Sequence, residues 1–129
     1  MTARETGAGA DASCIFCKII GGEIPSPRVA ENDEFIVIRD IHPQAPVHLL
    51  VIPKEHFKSL DEAFPEKGPA RTDQLGRMME FATRTARKEH LLPSGFRMVM
   101  NTGHQGGQTV FHIHAHILGG DGMGSRFGS

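Results

Sequence analysis

One stretch of the sequence decides the fold: Gln108-Thr109-Val110-Phe111-His112-Ile113-His114-Ala115-His116-Ile117-Leu118-Gly119-Gly120. Histidines alternate here with apolar residues, the period-two pattern typical of a β-strand with one covered face. Successive side chains of a strand point to opposite faces. The pattern therefore predicts that His112, His114 and His116 line one face, with spacings of about 6.6 Å. The three apolar residues between and after them would line the other face.

Three imidazoles at alternate positions form a candidate site. A single histidine on a strand is most often a partly buried, hydrogen-bonded structural residue. Three side by side are costly to bury, because each brings two nitrogens that need partners. Two kinds of chemistry use such a row: metal ligation, and nucleophilic or acid–base catalysis by a neutral ring with an ordinary pKa of about 6.5.

A glycine-rich loop precedes the histidines, Gly103-His104-Gln105-Gly106-Gly107-Gln108-Thr109, with Asn101 just before it. Glycines let backbone N–H groups approach an anion closely, and Thr109 adds a hydroxyl donor. Such a loop is weak evidence when it stands alone. Beside a histidine row it favours phosphoryl or nucleotidyl transfer over hydride or acyl chemistry.

Composition limits the class of protein. With 129 residues, 39% of them hydrophobic, the chain suits one compact domain. A net charge of −1 offers no basic surface for nucleic acid or an anionic membrane, and no run of 18 apolar residues exists. The polar start lacks the apolar core of a signal peptide, so we expect a cytoplasmic protein. We expect a flexible tail over residues 1–12, a domain over 13–120 and a glycine-rich tail over 121–129.

Turn residues and periodicity predict the remaining elements and an α+β fold. About five antiparallel strands would carry one long helix on a face, with a short amino-terminal helix before them. A stripe at helical spacing on the long helix would serve as core or subunit contact. It comprises Leu75, Met78, Met79, Ala82 and Ala86. The predicted helices are Cys14–Ile20 (capped by Ser13), a turn at 59–64, and about Pro69 to His90; the strands are Val29–Glu31, Phe35–Arg39, His48–Ile52, Phe96–Met100 and the histidine stretch.

These residues resemble the Hint branch of the histidine-triad (HIT) superfamily, the histidine-triad nucleotide-binding proteins. The family pattern of three histidines alternating with apolar residues matches His112 to Leu118. The resemblance covers about Cys14 to Gly120. Further matching segments are Ile15–Ile20, Glu23–Pro25, Asp40, Pro43–Pro46, His48, Val51–Lys54 and Gly106–Gln108.

The resemblance implies a hydrolase that cleaves purine nucleoside phosphoramidates or aminoacyl-nucleotides at the α-phosphorus. A covalent nucleotidyl-histidine would form on His114, while His116 would bond the phosphate oxygens and the leaving group. His112 completes the triad, and His48 matches the family's further histidine beside it. The implied nucleotide contacts are Asn101, Gly107, Gln108 and Thr109 for phosphate, Asp40 for ribose, and Ile15, Phe16, Ile19, Ile24, Ile38, Ile41 and Leu50 for the base. The family often has serine at the position of Thr109, which keeps the hydroxyl donor. For most of the seven apolar residues, ordinary core packing is an equal alternative.

The two cysteines form a Cys-x-x-Cys sequence, Cys14 and Cys17. That spacing favours a metal or redox role over a structural disulfide. Zinc-bearing HIT relatives, including galactose-1-phosphate uridylyltransferases, use two cysteines, a histidine after the central strand and the first triad histidine. The resemblance thus implies a structural Zn²⁺ on Cys14, Cys17, His56 and His112. Two free thiols are the alternative, since many Hint proteins lack the cysteines.

Partners and substrate follow from the same resemblance. It implies a purine nucleotide ligand and a homodimer joined through the long helix and the edge strand near Phe96 to Met100. Two alternatives to the phosphoramidase remain: a dinucleoside-polyphosphate hydrolase, and a nucleotide-binding regulatory or scaffold protein. The tail after Gly120 is unlike that of animal Hint proteins, so the leaving group and the choice between adenine and guanine stay open.

Overall fold

The computed structural model describes residues 10–121 and confirms the predicted α+β class. Five antiparallel strands form one sheet in the order β1-β2-β3-β5-β4. The elements are α1 (Ile15–Ile20), β1 (Arg28–Glu31), β2 (Phe35–Arg39), β3 (Val47–Pro53), α2 (Leu60–Ala63), α3 (Thr72–Lys88), β4 (Phe96–Val99) and β5 (Ala115–Gly119). The predicted tails lie mostly outside the described residues. No helix within 10–121 is long and apolar enough to cross a membrane.

The sheet carries a separate apolar core on each face. Strand β2 is buried along four of its five residues, so its alternating side chains enter both cores. Phe35 and Val37 pack with residues of α3, such as Met78, on one face. Ile36 and Ile38 pack with residues of α1 on the other face. The candidate site lies on the α1 face.

The β1–β2 hairpin forms at the predicted turn. The Asn32 side-chain oxygen accepts the backbone N–H groups of Glu34 and Phe35, at 2.9 and 2.8 Å. An Asn side chain can thus replace a backbone acceptor within a tight turn. The hairpin pairs β1 with β2, and β2 pairs on its other side with β3, where Ile38 lies opposite Leu50.

Helix boundaries differ from the sequence prediction at two places. The cap of α1 is Cys14, whose sulfur accepts the Cys17 N–H, whereas Ser13 bonds to Asp11 instead. Helix α3 begins at Thr72, so Pro69 lies before it and does not occupy its first turn.

The predicted apolar stripe of α3 enters the core at four of its five positions, and the subunit contact predicted as its alternative stays a prediction at the fifth. Met79 is 56% exposed and points away from the core, because it lies 100° around the helix from its buried neighbour Met78. Thr85 takes a buried place on that face, and its hydroxyl bonds to the Phe81 carbonyl one turn earlier.

The histidine stretch is not a strand throughout, which corrects the prediction. Only Ala115–Gly119 is hydrogen-bonded as β5, so His116 alone of the triad lies in the sheet. Backbone groups before it bond elsewhere: the Ile113 N–H donates to the Phe57 carbonyl at 2.9 Å. The chain nevertheless stays extended enough to keep the alternation. Ile113, Ala115 and Ile117 all enter the α3 core, as predicted.

Candidate active site

The three triad histidines lie close together on the α1 side of the molecule. The rings of His114 and His116 have centroids 5.1 Å apart. Phe16 of α1 presents its ring edge-on to both His112 and His114, at 5.9 and 5.1 Å. His112 is fully buried and His114 nearly so. The predicted gathering of three imidazoles therefore holds in space.

Hydrogen-bond partners determine which nitrogen of His112 carries its proton. Its Nε2 lies 2.7 Å from the Pro53 carbonyl oxygen, which can only accept. The neutral ring therefore donates from Nε2 and keeps the lone pair on Nδ1. That Nδ1 faces the sulfurs of Cys14 and Cys17, at 3.4 and 3.6 Å.

The same reasoning assigns His114. Its Nδ1 lies 2.8 Å from the backbone oxygen of His112, so Nδ1–H donates and the Nε2 lone pair is left to react. A carbonyl acceptor on the far nitrogen orients the ring and favours attack by the other nitrogen. The carbonyl is available because the backbone at His112 lies outside the β5 ladder.

A chain of three groups sets the proton on His116. The Gln44 backbone N–H donates to His48 Nδ1 at 3.0 Å, so His48 carries its proton on Nε2. His48 Nε2 lies 2.9 Å from His116 Nδ1 and 3.4 Å from an Asp40 carboxylate oxygen. His116 therefore accepts at Nδ1 and presents Nε2–H as a donor. The His116 N–H donor and the His114 lone pair together could support a displacement at phosphorus.

Burial keeps the triad neutral. Desolvation lowers the pKa of His112 and of His116 to about 4 each, from an ordinary value of 6.5. Neighbouring His114 and His48 lower the pKa of His116 further, and the Asp40 carboxylate opposes them. Desolvation also lowers the pKa of His114, against its bond to the His112 carbonyl. A neutral His114 retains the lone pair that a nucleophile needs.

Contacts within the glycine loop itself set its conformation. Asn101 donates from its side-chain amide to the Gly106 carbonyl at 2.7 Å. A Cβ atom at Gly106 would collide with the backbone of Thr102, so only glycine fits there. Gly107 has a φ of 84°, a left-handed conformation that glycine adopts without strain. Thr109 is exposed at the end of the loop.

Gln108 turns inward and holds the loop in place. It is buried; its amide nitrogen donates to the carbonyls of Lys58 and Val110, at 2.7 and 3.0 Å, and its oxygen accepts the Gly103 N–H at 2.9 Å. All three bonds lie within the protein. These bonds give Gln108 a supporting role in the loop, and its predicted nucleotide contact stays a prediction.

The predicted base wall divides into two groups. Ile38 and Leu50 face each other on β2 and β3, and Leu50 faces His116 on β5, so the three form one row across the sheet. This row adjoins the triad directly. The α1-side cluster contains Phe16, Ile19, Ile24, Ile38 and Leu50. Ile15 and Ile41 lie outside it and are 47% and 85% exposed.

Four potential metal ligands lie close together, and one of them is the triad residue His112. The Nδ1 atoms of His56 and His112 are 3.0 Å apart, and Cys17 Sγ lies 3.3 Å from His56 Nδ1. All four ligand atoms of Cys14, Cys17, His56 and His112 lie within 4.8 Å of one another. Ligands around tetrahedral zinc stand roughly 3.3–3.8 Å apart, as its bond lengths require. The donor set and spacing suit Zn²⁺.

Two groups that orient the histidines leave little sign in the sequence. Both are backbone atoms, the Pro53 carbonyl and the Gln44 N–H, and backbone atoms leave no side-chain pattern to read. The only available signal was that His48 follows a loop bounded by Pro43 and Pro46. A loop held by prolines can place one amide beside a strand residue.

Comparison with known proteins agrees with this geometry. The family model for the HIT domain matches residues 21–123. The chain belongs to the HIT family. It is 44% identical over 110 residues to the purine nucleoside phosphoramidase of Escherichia coli, covering 85% of this chain and 89% of that one. It is 45% identical over 115 residues to the adenylylsulfatase HINT1 of Arabidopsis thaliana, covering 88% and 75%.

A solved structure extends the comparison to the fold. The crystal structure of a HIT family hydrolase from Legionella pneumophila superimposes on this HIT protein with a TM-score of 0.81 and 41% identity. The match covers 88% of this chain and 97% of that one. The two proteins therefore share one fold over nearly the whole length of that hydrolase.

Proposed function

We propose that this HIT protein hydrolyses purine nucleoside phosphoramidates, with His114 as the nucleophile. One observation carries the proposal: the donation from His114 Nδ1–H to the His112 carbonyl leaves the Nε2 lone pair on a ring that packs beside His116. The similarity to a purine nucleoside phosphoramidase supports the substrate class.

The reaction proceeds by two displacements at the α-phosphorus. His114 Nε2 attacks and the P–N bond breaks; His116, which takes up one solvent proton when the anionic substrate binds, gives its Nε2–H proton to the departing nitrogen and returns to the neutral ring. Water then attacks the nucleotidyl-histidine, gives a proton to His116 and releases the nucleoside monophosphate. Splitting the reaction lowers each barrier, and donors on the phosphate oxygens stabilise the charge that develops. The Gly107 N–H, the Asn101 amide and the Thr109 hydroxyl would supply those donors.

Adenylyl sulfate is a second candidate substrate. The relative named adenylylsulfatase has an identity similar to that of the phosphoramidase. Sulfate leaves without a proton, because it is a stable anion at neutral pH. Loss of the proton donor in His116→Ala should therefore reduce phosphoramidate turnover far more than adenylyl sulfate turnover, and parallel assays of both substrates measure the ratio.

Single-turnover hydrolysis of adenosine phosphoramidate, followed by intact mass, tests the main proposal. We expect a transient mass increase of one AMP, and a loss of turnover of about 10⁴-fold or more in His114→Ala. His90→Asn is the control: His90 is exposed with a φ of 64°, a conformation that Asn tolerates. Binding of AMP without adduct or turnover would instead favour a nucleotide-binding scaffold.

We further propose that the four donors bind one structural Zn²⁺. His112 is prepared for it, because the Pro53 carbonyl takes its Nε2–H and leaves Nδ1 free to bind metal. An Asp11 N–H donates to Cys17 Sγ at 3.4 Å and opposes the burial that, in the absence of metal, raises the pKa of this thiol to about 11. When bound, zinc would join α1 to the catalytic segment.

Metal analysis checks the zinc site. About one zinc per chain is expected, with most of it lost in His56→Ala, and chelation should lower the melting temperature. The exposed His42 offers a matched control in His42→Ala, which should retain the metal. A metal-free protein that is folded and active would contradict the site.

A further inference from the structure

We propose that hydroperoxides oxidise Cys14 and Cys17 to a reversible disulfide, which releases the metal ion and disables His114. The inference rests on the proposed function and on the proposed zinc site. Three features of the structure support it: the closeness of the two sulfurs, a cleft that reaches Cys14, and the contacts that link the cysteines to His114.

The two cysteine sulfurs already lie close together. Both belong to the four-donor cluster, whose ligand atoms lie within 4.8 Å of one another. The Cys17 N–H holds Cys14 Sγ at 3.3 Å over the start of α1. A disulfide needs the sulfurs about 2.05 Å apart, which side-chain rotation can provide at this Cys-x-x-Cys spacing. The chain has only these two cysteines, so no other disulfide can form within it.

A cleft leads from solvent to the pair. It has a volume of about 320 Å³ and is lined by residues that include Asp11, Cys14, His56, Lys58 and Thr109. Hydrogen peroxide is little larger than water, whose share of liquid volume is about 30 Å³. The cleft therefore admits the oxidant to Cys14, while Cys17 lies behind it and is reached by exchange.

The chemistry balances without a further reagent. The Cys14 thiolate attacks a peroxide oxygen, the O–O bond breaks, and a sulfenic acid and one water form. The Cys17 thiolate then attacks the sulfenic sulfur, forms the S–S bond and expels the second water. Two electrons pass from the sulfurs to the peroxide, and two protons come from solvent. His56 and His112 would then remain as the two ligands of the proposed site, too few to retain a zinc ion.

The pair is connected to the nucleophile by two contacts. Phe16 lies between the cysteines in sequence, and its ring edge packs against both His112 and His114. His112 belongs to the four-donor cluster, and its backbone carbonyl accepts the His114 Nδ1–H. Drawing the sulfurs together moves Phe16 and removes the sulfur partners of His112 Nδ1, so both groups that pack against or hold His114 shift and His114 loses its orientation.

The experiment treats zinc-loaded protein with hydrogen peroxide and follows four quantities in time. Intact mass reports the disulfide as a loss of 2 Da, distinct from the gain of 16 Da on methionine oxidation. Alkylation counts free thiols, a chromogenic chelator counts released zinc, and adenosine phosphoramidate reports turnover. In the control variant Met79→Leu, the exposed methionine of α3 is removed. This substitution should leave the time courses unchanged.

We expect the disulfide, about one released zinc per chain and at least a tenfold loss of turnover to develop together, and dithiothreitol with zinc to reverse all three. Thiols that persist, or a disulfide formed with zinc retained or turnover unchanged, would overturn the inference. If reduced protein has no phosphoramidase activity, the proposed function fails. Imidazole NMR signals of His112 and His114 then decide the coupling, because they must shift on oxidation.

Discussion

At the level of single residues, activity depends on which nitrogen of each imidazole carries a proton. The assignments follow from groups that can act in only one way: two carbonyls accept and one backbone N–H donates. Each histidine of the triad thus has a different task. In the proposed reaction and metal site, His112 would offer Nδ1 to zinc, His114 would offer Nε2 to phosphorus, and His116 would offer a proton.

The lowered pKa values predict activity well into the acid range. A nucleophile must be neutral, and a depressed pKa keeps His114 neutral to a lower pH than an exposed histidine. Turnover should therefore persist to a lower pH than it would with an exposed histidine of pKa about 6.5, because desolvation lowers the pKa of His114. The pH profile of single-turnover rates measures this.

An ordinary histidine pKa of about 6.5 would give a different curve. Half of the single-turnover rate would then be lost near pH 6.5, and most of it by pH 5.5. Such a profile would show that burial does not hold the nucleophile neutral. Circular dichroism at each pH separates this titration from unfolding.

At the level of elements, the glycine loop depends on one buried amide. Gln108→Ala removes three hydrogen bonds and leaves the Lys58 and Val110 carbonyls and the Gly103 N–H without their partner. Unsatisfied buried groups cost about 1–3 kcal/mol each, although the loop can partly relax. We expect the free energy of unfolding in urea to fall by about 2 kcal/mol, and KM for adenosine phosphoramidate to rise.

Gln105 provides the matched control, since it has the same side chain in the same loop but is exposed. Gln105→Ala should change the free energy of unfolding by less than about 0.5 kcal/mol. Equal effects of the two substitutions would mean that Gln108 does not hold the loop. An unchanged KM in Gln108→Ala would mean that the loop does not hold phosphate.

Alternation in the sequence predicted the faces of the histidine segment but not its hydrogen bonds. Ile113 and Ala115 enter the α3 core as the pattern required. Yet the same alternation fits an extended chain whose N–H groups bond outside a sheet, as Ile113 bonds to Phe57. Period alone cannot tell the two apart. Similarly, Met79 beside Met78 looked apolar enough for the core, but only position around the helix decides burial.

For the whole molecule, the sheet separates two tasks. The α1 face holds the triad, the row of Ile38 and Leu50, and the metal cluster. The α3 face holds the larger core and leaves the outer side of α3 exposed. A groove of about 440 Å³ runs there, lined by Met79, Glu80, Thr83, Arg84 and Arg87. Among the described strands, β4 pairs on one side only, with β5.

The family resemblance implies a homodimer, which would join two copies through these two surfaces, the β4 edge and the outer side of α3. An unpaired strand edge and an exposed methionine are unfavourable in isolation, and a two-fold axis would cover both by the same contact in each copy. Acidic Glu80 and basic Arg84 and Arg87 on one groove can also complement a second copy. Light scattering coupled to size-exclusion chromatography should give about twice the mass of the chain, which is 14.1 kDa.

Placing a charge in that groove should weaken the dimer while sparing each monomer's core. Met79→Glu should shift the protein towards monomer at micromolar concentration, because an interface must then bury an unpaired carboxylate. Phe64→Glu is the control, since Phe64 is also exposed but lies at the end of α2. A monomeric parent protein would refute the dimer. A dimer unaffected by Met79→Glu but broken by Phe64→Glu would place its interface at α2, away from the outer side of α3.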